Sequence, residues 1–196
     1  MTKTAAPMTS GSIWKQMTFF AMPIFLGNLF QQLYNTVDSL IVGNFLGSSA
    51  LAAVSSSGSL IFMLIGFLSG ISAGAGVIVA RFFGAGDEKN LQRAVHTTVA
   101  FGLVAGVLMT GVGVALSPQI LRWMDTPESV MRESVTYLQI YFAGSLGFVM
   151  YNVLVGILQA VGDSRHPLYY LIVSSVINLV LDLLFITGFH TGVEGA

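Results

Sequence analysis

The sequence predicts an all-α membrane protein, a polytopic helical bundle of five transmembrane helices plus the entrance to a sixth. Three observations carry this prediction. Of 196 residues, 54% are hydrophobic and only 9% charged, against roughly 25% charged in soluble domains. Five apolar stretches, at 17–42, 51–83, 95–116, 135–161 and 168–189, reach the roughly 20 residues a helix needs to cross a bilayer. None of them alternates with the period of two that a barrel strand would show.

The first stretch, Met17–Val42, contains Pro23. A proline inside a helix removes one backbone hydrogen bond and crowds the preceding turn, so a kink and a candidate hinge are predicted there. Gln31, Asn35 and Asp38 follow at steps of four and three, with Asn28 one turn earlier, and so share one helical face. The second stretch, Leu51–Phe83, has 33 residues, about 50 Å at helical rise, and must tilt or extend beyond the bilayer. Its Gly66, Gly70 and Gly74, like Gly102 and Gly106 in the third stretch, predict close helix packing. The fourth mixes aromatic and polar residues: Tyr137, Tyr141, Tyr151, Asn152 and Gln159. Tyr137 suits an interfacial anchor. The fifth, Leu168–Phe189, carries Ser174, Asn178 and Asp182 at steps of four. The closing run Gly192–Ala196 looks like a chain cut at the entrance to a sixth helix.

Charge sets the expected orientation. Six Lys or Arg (Lys3, Lys15, Arg81, Lys89, Arg93, Arg165) fall on one side of the bundle and two (Arg122, Arg132) on the other. The positive-inside rule then puts the N-terminus in the cytoplasm and Ala196 outside. The chain has no cysteine, so it has neither a disulfide framework nor a thiolate metal site. A net charge of −1 argues against nucleic-acid binding. No cleavable signal peptide is expected, and the first helix serves as its own targeting signal. No Walker A motif points to ATP hydrolysis. His96, His166 and His190 lie too far apart for metal-ligand spacing. Gly84-Ala85-Gly86-Asp87 matches the GxGD pattern of intramembrane aspartyl proteases, but its charged neighbours make Asp87 a loop residue.

Asp38 and Asp182 are the informative residues. A carboxylate at the centre of a membrane helix costs on the order of 2.5–3.5 kcal/mol, so such residues generally have a function. Asp38 lies five residues before Gly43 and Asp182 six before Gly188, so both sit roughly 7–9 Å inside the outer helix ends. Two carboxylates at one depth, with an amide and hydroxyls close by, suit a hard cation or a proton. The plainer reading is that each acid only caps or hydrogen-bonds a neighbouring helix; the matched depth and an Asn one turn away favour the functional one. Gln31, Tyr34, Asn35, Tyr141 and Asn152 are candidate cavity-lining residues around this site.

These residues resemble the multidrug and toxic compound extrusion (MATE) family over nearly all of the chain. The resemblance rests on Pro23 followed by Asn35-Thr36-Val37-Asp38 and Gly43, on the run Gly156–Pro167 with its Gly-Asp-Ser-Arg-His-Pro ending, and on Asn178-Leu179-Val180-Leu181-Asp182. It implies a twelve-helix transporter in two six-helix lobes, multi-pass in the plasma membrane of a prokaryote, with both ends cytoplasmic. Residues 1–196 then correspond to an amino-terminal, MATE-like lobe with the second lobe absent. The implied function is secondary active multidrug efflux, in which amphipathic, often cationic compounds leave in exchange for H⁺ or Na⁺. Asp38, Asn178 and Asp182 match the family's amino-lobe cation site, where Na⁺ is a candidate occupant. The remaining ligand, a sixth-helix hydroxyl, would lie beyond Ala196. No cofactor besides the coupling ion and no enzyme activity is implied. The implied partners are the bilayer, the exported compounds and a second six-helix lobe in the same or another chain. The related lipid-linked-oligosaccharide flippases use basic cavity residues, and these spans contain no Lys or Arg beyond Arg81 at the end of the second. Two acids within membrane helices would also suit an intramembrane protease, or a membrane interaction protein that transports nothing.

Overall fold

The computed structural model describes residues 12–45 and 47–185, and the side chains of Asp38 and Asp182 are outside that description. Lys3, the end of the fifth predicted span (186–189) and the C-terminal run to Ala196 also lie outside it. The described residues form six α-helices in order: α1 (Ile13–Phe45), α2 (Gly47–Gly84), α3 (Glu88–Trp123), α4 (Glu128–Ala143), α5 (Ser145–Ala160) and α6 (Arg165–Leu183). There is no strand among the described residues.

Two helical segments among the described residues are long and apolar enough to cross a membrane, Ser57–Gly84 and Glu88–Trp123. The pair α4 and α5, bent by 48°, makes a third if taken as one span. The fourth predicted span is therefore not one straight helix: it breaks at Gly144. No proline marks the break. Gly144 donates to the Ile140 carbonyl, and its own carbonyl accepts from both Gly147 (3.1 Å) and Phe148 (3.3 Å), so the residue at the turn keeps its own backbone groups bonded on both sides. The Thr110 and Ser145 hydroxyls, 3.0 Å apart, pin the break to α3.

Helix α3 runs past Pro118 to Trp123, beyond the expected end at Leu116. Pro118 cannot donate to the Val114 carbonyl. Gln139 Nε2 on α4 reaches that carbonyl at 3.4 Å, and Ser117 Oγ donates to the Gly113 carbonyl at 2.6 Å. The ends of α2, α3 and α5 follow one recipe. Gly86 (φ 67°), Asp125 (φ 52°) and Gly162 (φ 86°) each adopt the left-handed conformation after a helix. The amide that follows each of them returns to a carbonyl five residues earlier: Asp87 to Phe82, Thr126 to Leu121, Asp163 to Leu158.

Helix α3 packs against α4 and α5, and both of these also meet α2, whereas α6 packs chiefly against α1. One core cluster joins Leu68, Val149 and Val153; another joins Leu121, Leu138 and Phe142. Glycines on α3 allow the close approach: a Cβ on Gly102 would lie 2.9 Å from Val153 Cγ2, and one on Gly106 would lie 2.6 Å from Leu146 Cδ1. The expectation for Gly66, Gly70 and Gly74 is not met. Nothing lies within 4 Å of a Cβ at any of the three. The face of α2 that packs carries Leu68, Ser72, Gly76 and Val79. A two-residue offset turns the other glycines by about 200°, onto the opposite, open face. Trp14 near the start of α1 and Trp123 at the end of α3 are 81% and 71% exposed, as rings at the two membrane interfaces are expected to be.

Candidate functional site

Helices α1 and α6 form a parallel pair, with the Gly27 position seated between Leu168 and Leu171. Near one end, a Cβ on Gly27 would lie 3.6 Å from Leu171 Cδ2, an ordinary contact that lets the helices approach closely. Further along, the Tyr34 hydroxyl donates to Asn178 Oδ1. Both pairs are separated by the same 144 residues in sequence. Carried one more turn along each helix, that register pairs position 38 with position 182. Asn178 and Tyr34, chosen from the sequence as a cation ligand and a cavity-lining residue, are thus joined directly, one turn before the two acids.

The other predicted residues are distributed differently. Gln31 and Asn35 are exposed, and among the described residues Asn35 Nδ2 reaches Gln32 Oε1 at 3.5 Å. Two α1 hydroxyls bond their own helix: Thr36 to the Gln32 carbonyl and Ser39 to the Asn35 carbonyl, each at 2.9 Å. Such bonds satisfy polar groups where water is scarce. Tyr141 packs edge-on against Phe142 at 6.1 Å and near Phe148 at 6.4 Å, so it belongs to an aromatic cluster of α4 and α5. Asn152 Nδ2 donates to the Phe148 carbonyl at 2.9 Å. Asn152 also lines a cavity of about 460 Å³ between α1, α2 and α5, together with Asn28 and Gln159. Pro23 lies inside α1 immediately before Ile24, another wall residue of that cavity. Among the described residues, no three His, Cys, Asp or Glu side chains cluster in a way that could hold a metal.

Two acids serve the helix starts instead. Asp87 caps α3, its Oδ1 accepting from the Asn90 amide at 3.1 Å and its Oδ2 from Asn90 Nδ2 at 2.7 Å. These bonds hold its carboxyl below the usual range. The GxGD pattern is therefore a helix cap. Asp163 does the same for α6. Its Oδ1 accepts from the amides of Arg165 (3.1 Å) and His166 (3.2 Å), and its Oδ2 lies 2.5 Å from His166 Nδ1. Partial burial pushes the Asp163 carboxyl up, but the His166 and Arg165 bonds and the His166 charge outweigh it and hold the group low. The Gly-Asp-Ser-Arg-His-Pro run is thus a turn and helix start. Pro167 sits in the first turn of α6, where a missing amide costs little.

The family model for MatE matches residues 23–184. The chain belongs to the MATE family of multidrug efflux transporters. It is 38% identical over 177 residues to the "Probable multidrug resistance protein YoeA" of Bacillus subtilis, covering 90% of this chain and 38% of that relative. A MATE crystal structure described as straight superposes with a TM-score of 0.89 at 27% identity, covering 100% of this chain and 43% of that one. One described as bent gives 0.86 at 28% identity, covering 94% and 41%. The chain therefore spans about two fifths of the length of the MATE proteins it matches, and its fold is that of one lobe. MATE proteins are multi-pass membrane transporters, not enzymes. The two helices that carry Asp38 and Asp182 are the pair that this MATE lobe packs in parallel register.

Proposed function

We propose that this lobe, together with a second six-helix lobe in the same or another chain, exports amphipathic, often cationic compounds in exchange for H⁺ or Na⁺. The observation that carries the reading is the α1–α6 register, anchored by the bond from Tyr34 to Asn178. It supports a site in which Asp38 and Asp182 approach each other one turn beyond that bond, with the Asn178 amide beside them. Two ionised carboxylates held close in a poorly solvated site repel, and a shared proton or Na⁺ relieves the repulsion. The coupling ion is then a transported species, and its arrival draws α1 towards α6. Pro23 is the point on α1 that absorbs the movement, because no further backbone bond has to break there. Closure changes the face offered to the exported compound and lowers its affinity. Linkage makes that coupling reciprocal.

The lobe is oriented with the N-terminus in the cytoplasm of a prokaryotic cell, from the distribution of Lys and Arg. The test is ethidium efflux from drug-sensitive cells expressing the protein with its second lobe. Asp38→Asn and Asp182→Asn are each expected to abolish gradient-driven efflux while leaving membrane expression unchanged. Wild-type efflux from Asp38→Asn would overturn the coupling role.

A further inference from the structure

The cavity between α1, α2 and α5 lies away from positions 38 and 182. Asn28, on its wall, precedes Asp38 by ten residues, about 15 Å along α1. The cavity sits towards the end of α2 that carries Arg81, the side to which the charge asymmetry assigns the cytoplasm. Its origin is legible in the packing. Helices α2 and α5 cross almost backbone to backbone: a Cβ on Gly156 would lie 3.2 Å from the Ser72 carbonyl oxygen, and one on Gly76 would lie 3.5 Å from the Gly156 carbonyl oxygen. Helix α1 leans mainly on α6, so the small residues that permit this crossing leave space in front of it.

The chemistry of the lining is unusual for a helix junction in lipid. It contains no charged side chain, but it does contain Asn28, Ser69, Ser72, Asn152 and Gln159. Among the described residues, only Asn152 of these five makes a side-chain hydrogen bond, and that bond uses its Nδ2. Asn28 and Ser69 are exposed at the cavity's mouth, Asn152 and Gln159 are half-buried and Ser72 is buried. Amides and hydroxyls from three helices therefore face one space, where they can bond a solute in place of water. About 460 Å³ is the size of a drug-binding cleft.

We propose that this cavity is a second solute site, which takes a neutral, drug-sized molecule carrying amide or hydroxyl groups on an apolar frame. The uncharged lining selects hydrogen-bonding groups over cationic charge, which is the opposite preference to that of the Asp38–Asp182 level. The site's role as a loading point for export rests on the transport reading above, but binding itself does not.

The absence of native cysteine makes the test direct. Ser69→Cys, a near-isosteric change, places a single thiol on the wall, and Ser59→Cys on the same helix is the control. The chain is held in lipid nanodiscs without an ion gradient, and maleimide labelling is timed with and without chloramphenicol, a neutral molecule with amide and hydroxyl groups. Chloramphenicol is expected to slow labelling at position 69 at least threefold and to leave position 59 unchanged. Asn28→Leu with Gln159→Leu is expected to raise the half-protecting concentration at least tenfold. Tetraphenylphosphonium, a cation of similar size with no hydrogen-bonding group, is expected to give no protection. Absent protection, equal protection by the phosphonium, or protection that survives the Leu pair would overturn the proposal. So would loss of protection in Asp38→Asn with Asp182→Asn, which would merge the two sites. Failed efflux with protection intact would instead remove the antiport reading and leave this site standing.

Discussion

Gly113→Ala adds one methyl group where the bundle has no room for it. A Cβ built on Gly113 would lie 2.1, 2.2 and 2.6 Å from Cδ1, Cγ and Cε1 of Phe142. Carbon atoms in contact settle about 3.5–4.0 Å apart, so α3 and the Phe142 ring must separate by more than about 1 Å. The ring cannot yield easily: Phe142 is 3% exposed and packs in the cluster with Leu121 and Leu138, both 0% exposed. Overpacking of this kind costs about 1–3 kcal/mol, and a clash with three ring atoms belongs at the upper end. Alanine recovers about 1 kcal/mol of helix propensity, leaving a net loss of about 2 kcal/mol. For a chain of this length that corresponds to a fall in Tm of about 4–8 °C. Gly111, two residues away on the same helix, has nothing within 4 Å of its Cβ position. Gly111→Ala is therefore expected to be neutral or slightly stabilising. Thermal unfolding of the purified chain in nanodiscs, followed by tryptophan emission, compares the two variants. Adding Phe142→Leu to Gly113→Ala relieves the clash and is expected to recover part of the loss. Equal Tm values for the Gly113→Ala and Gly111→Ala chains would refute the packing reasoning.

Three further outcomes follow from the geometry. Tyr34→Phe leaves Asn178 Oδ1 without its α1 donor; a loss of about 1 kcal/mol is expected, read as a lower Tm, and an unchanged Tm would remove this bond as the anchor of the register. Asp163 has a depressed pKa in the fold, so its stabilisation is present above the unfolded value of about 3.9 and disappears as pH falls through the lower folded value. Asp163→Asn is expected to lower Tm near neutrality and to weaken its fall in acid, and an unchanged acid profile would contradict this. Asp125→Gly replaces a left-handed non-glycine residue (φ 52°) at the end of α3; it is expected to stabilise by about 0.5 kcal/mol, and a drop in Tm would show that the aspartate side chain outweighs the backbone strain.

The class of the molecule was legible in the chain alone, and so was the presence of two acids in its apolar stretches. Apolar stretches of membrane length are a local property, and Asp38 and Asp182 are conspicuous because hydrocarbon penalises them wherever the helices pack. The sequence placed Asp87 in a loop, but its capping of α3 and the Asp163 turn emerged only with the structure, where glycine followed by aspartate supplies both the left-handed turn and the acceptor for the next helix. Whatever depends on which faces meet came from the packing of the helices. The glycine pattern at Gly66, Gly70 and Gly74 gave the right kind of surface on the wrong side of α2, because spacing specifies a stripe but not its partner. The break at Gly144 has no distinctive residue; it depends on Thr110 across the helix boundary and on carbonyls rearranging around one glycine among 22. Asn28 and Gln159 stood out as polar residues in apolar spans, yet nothing in their spacing brings them together. That convergence, and the cavity it lines, exists because α2 and α5 cross through Ser72, Gly76 and Gly156 while α1 turns towards α6.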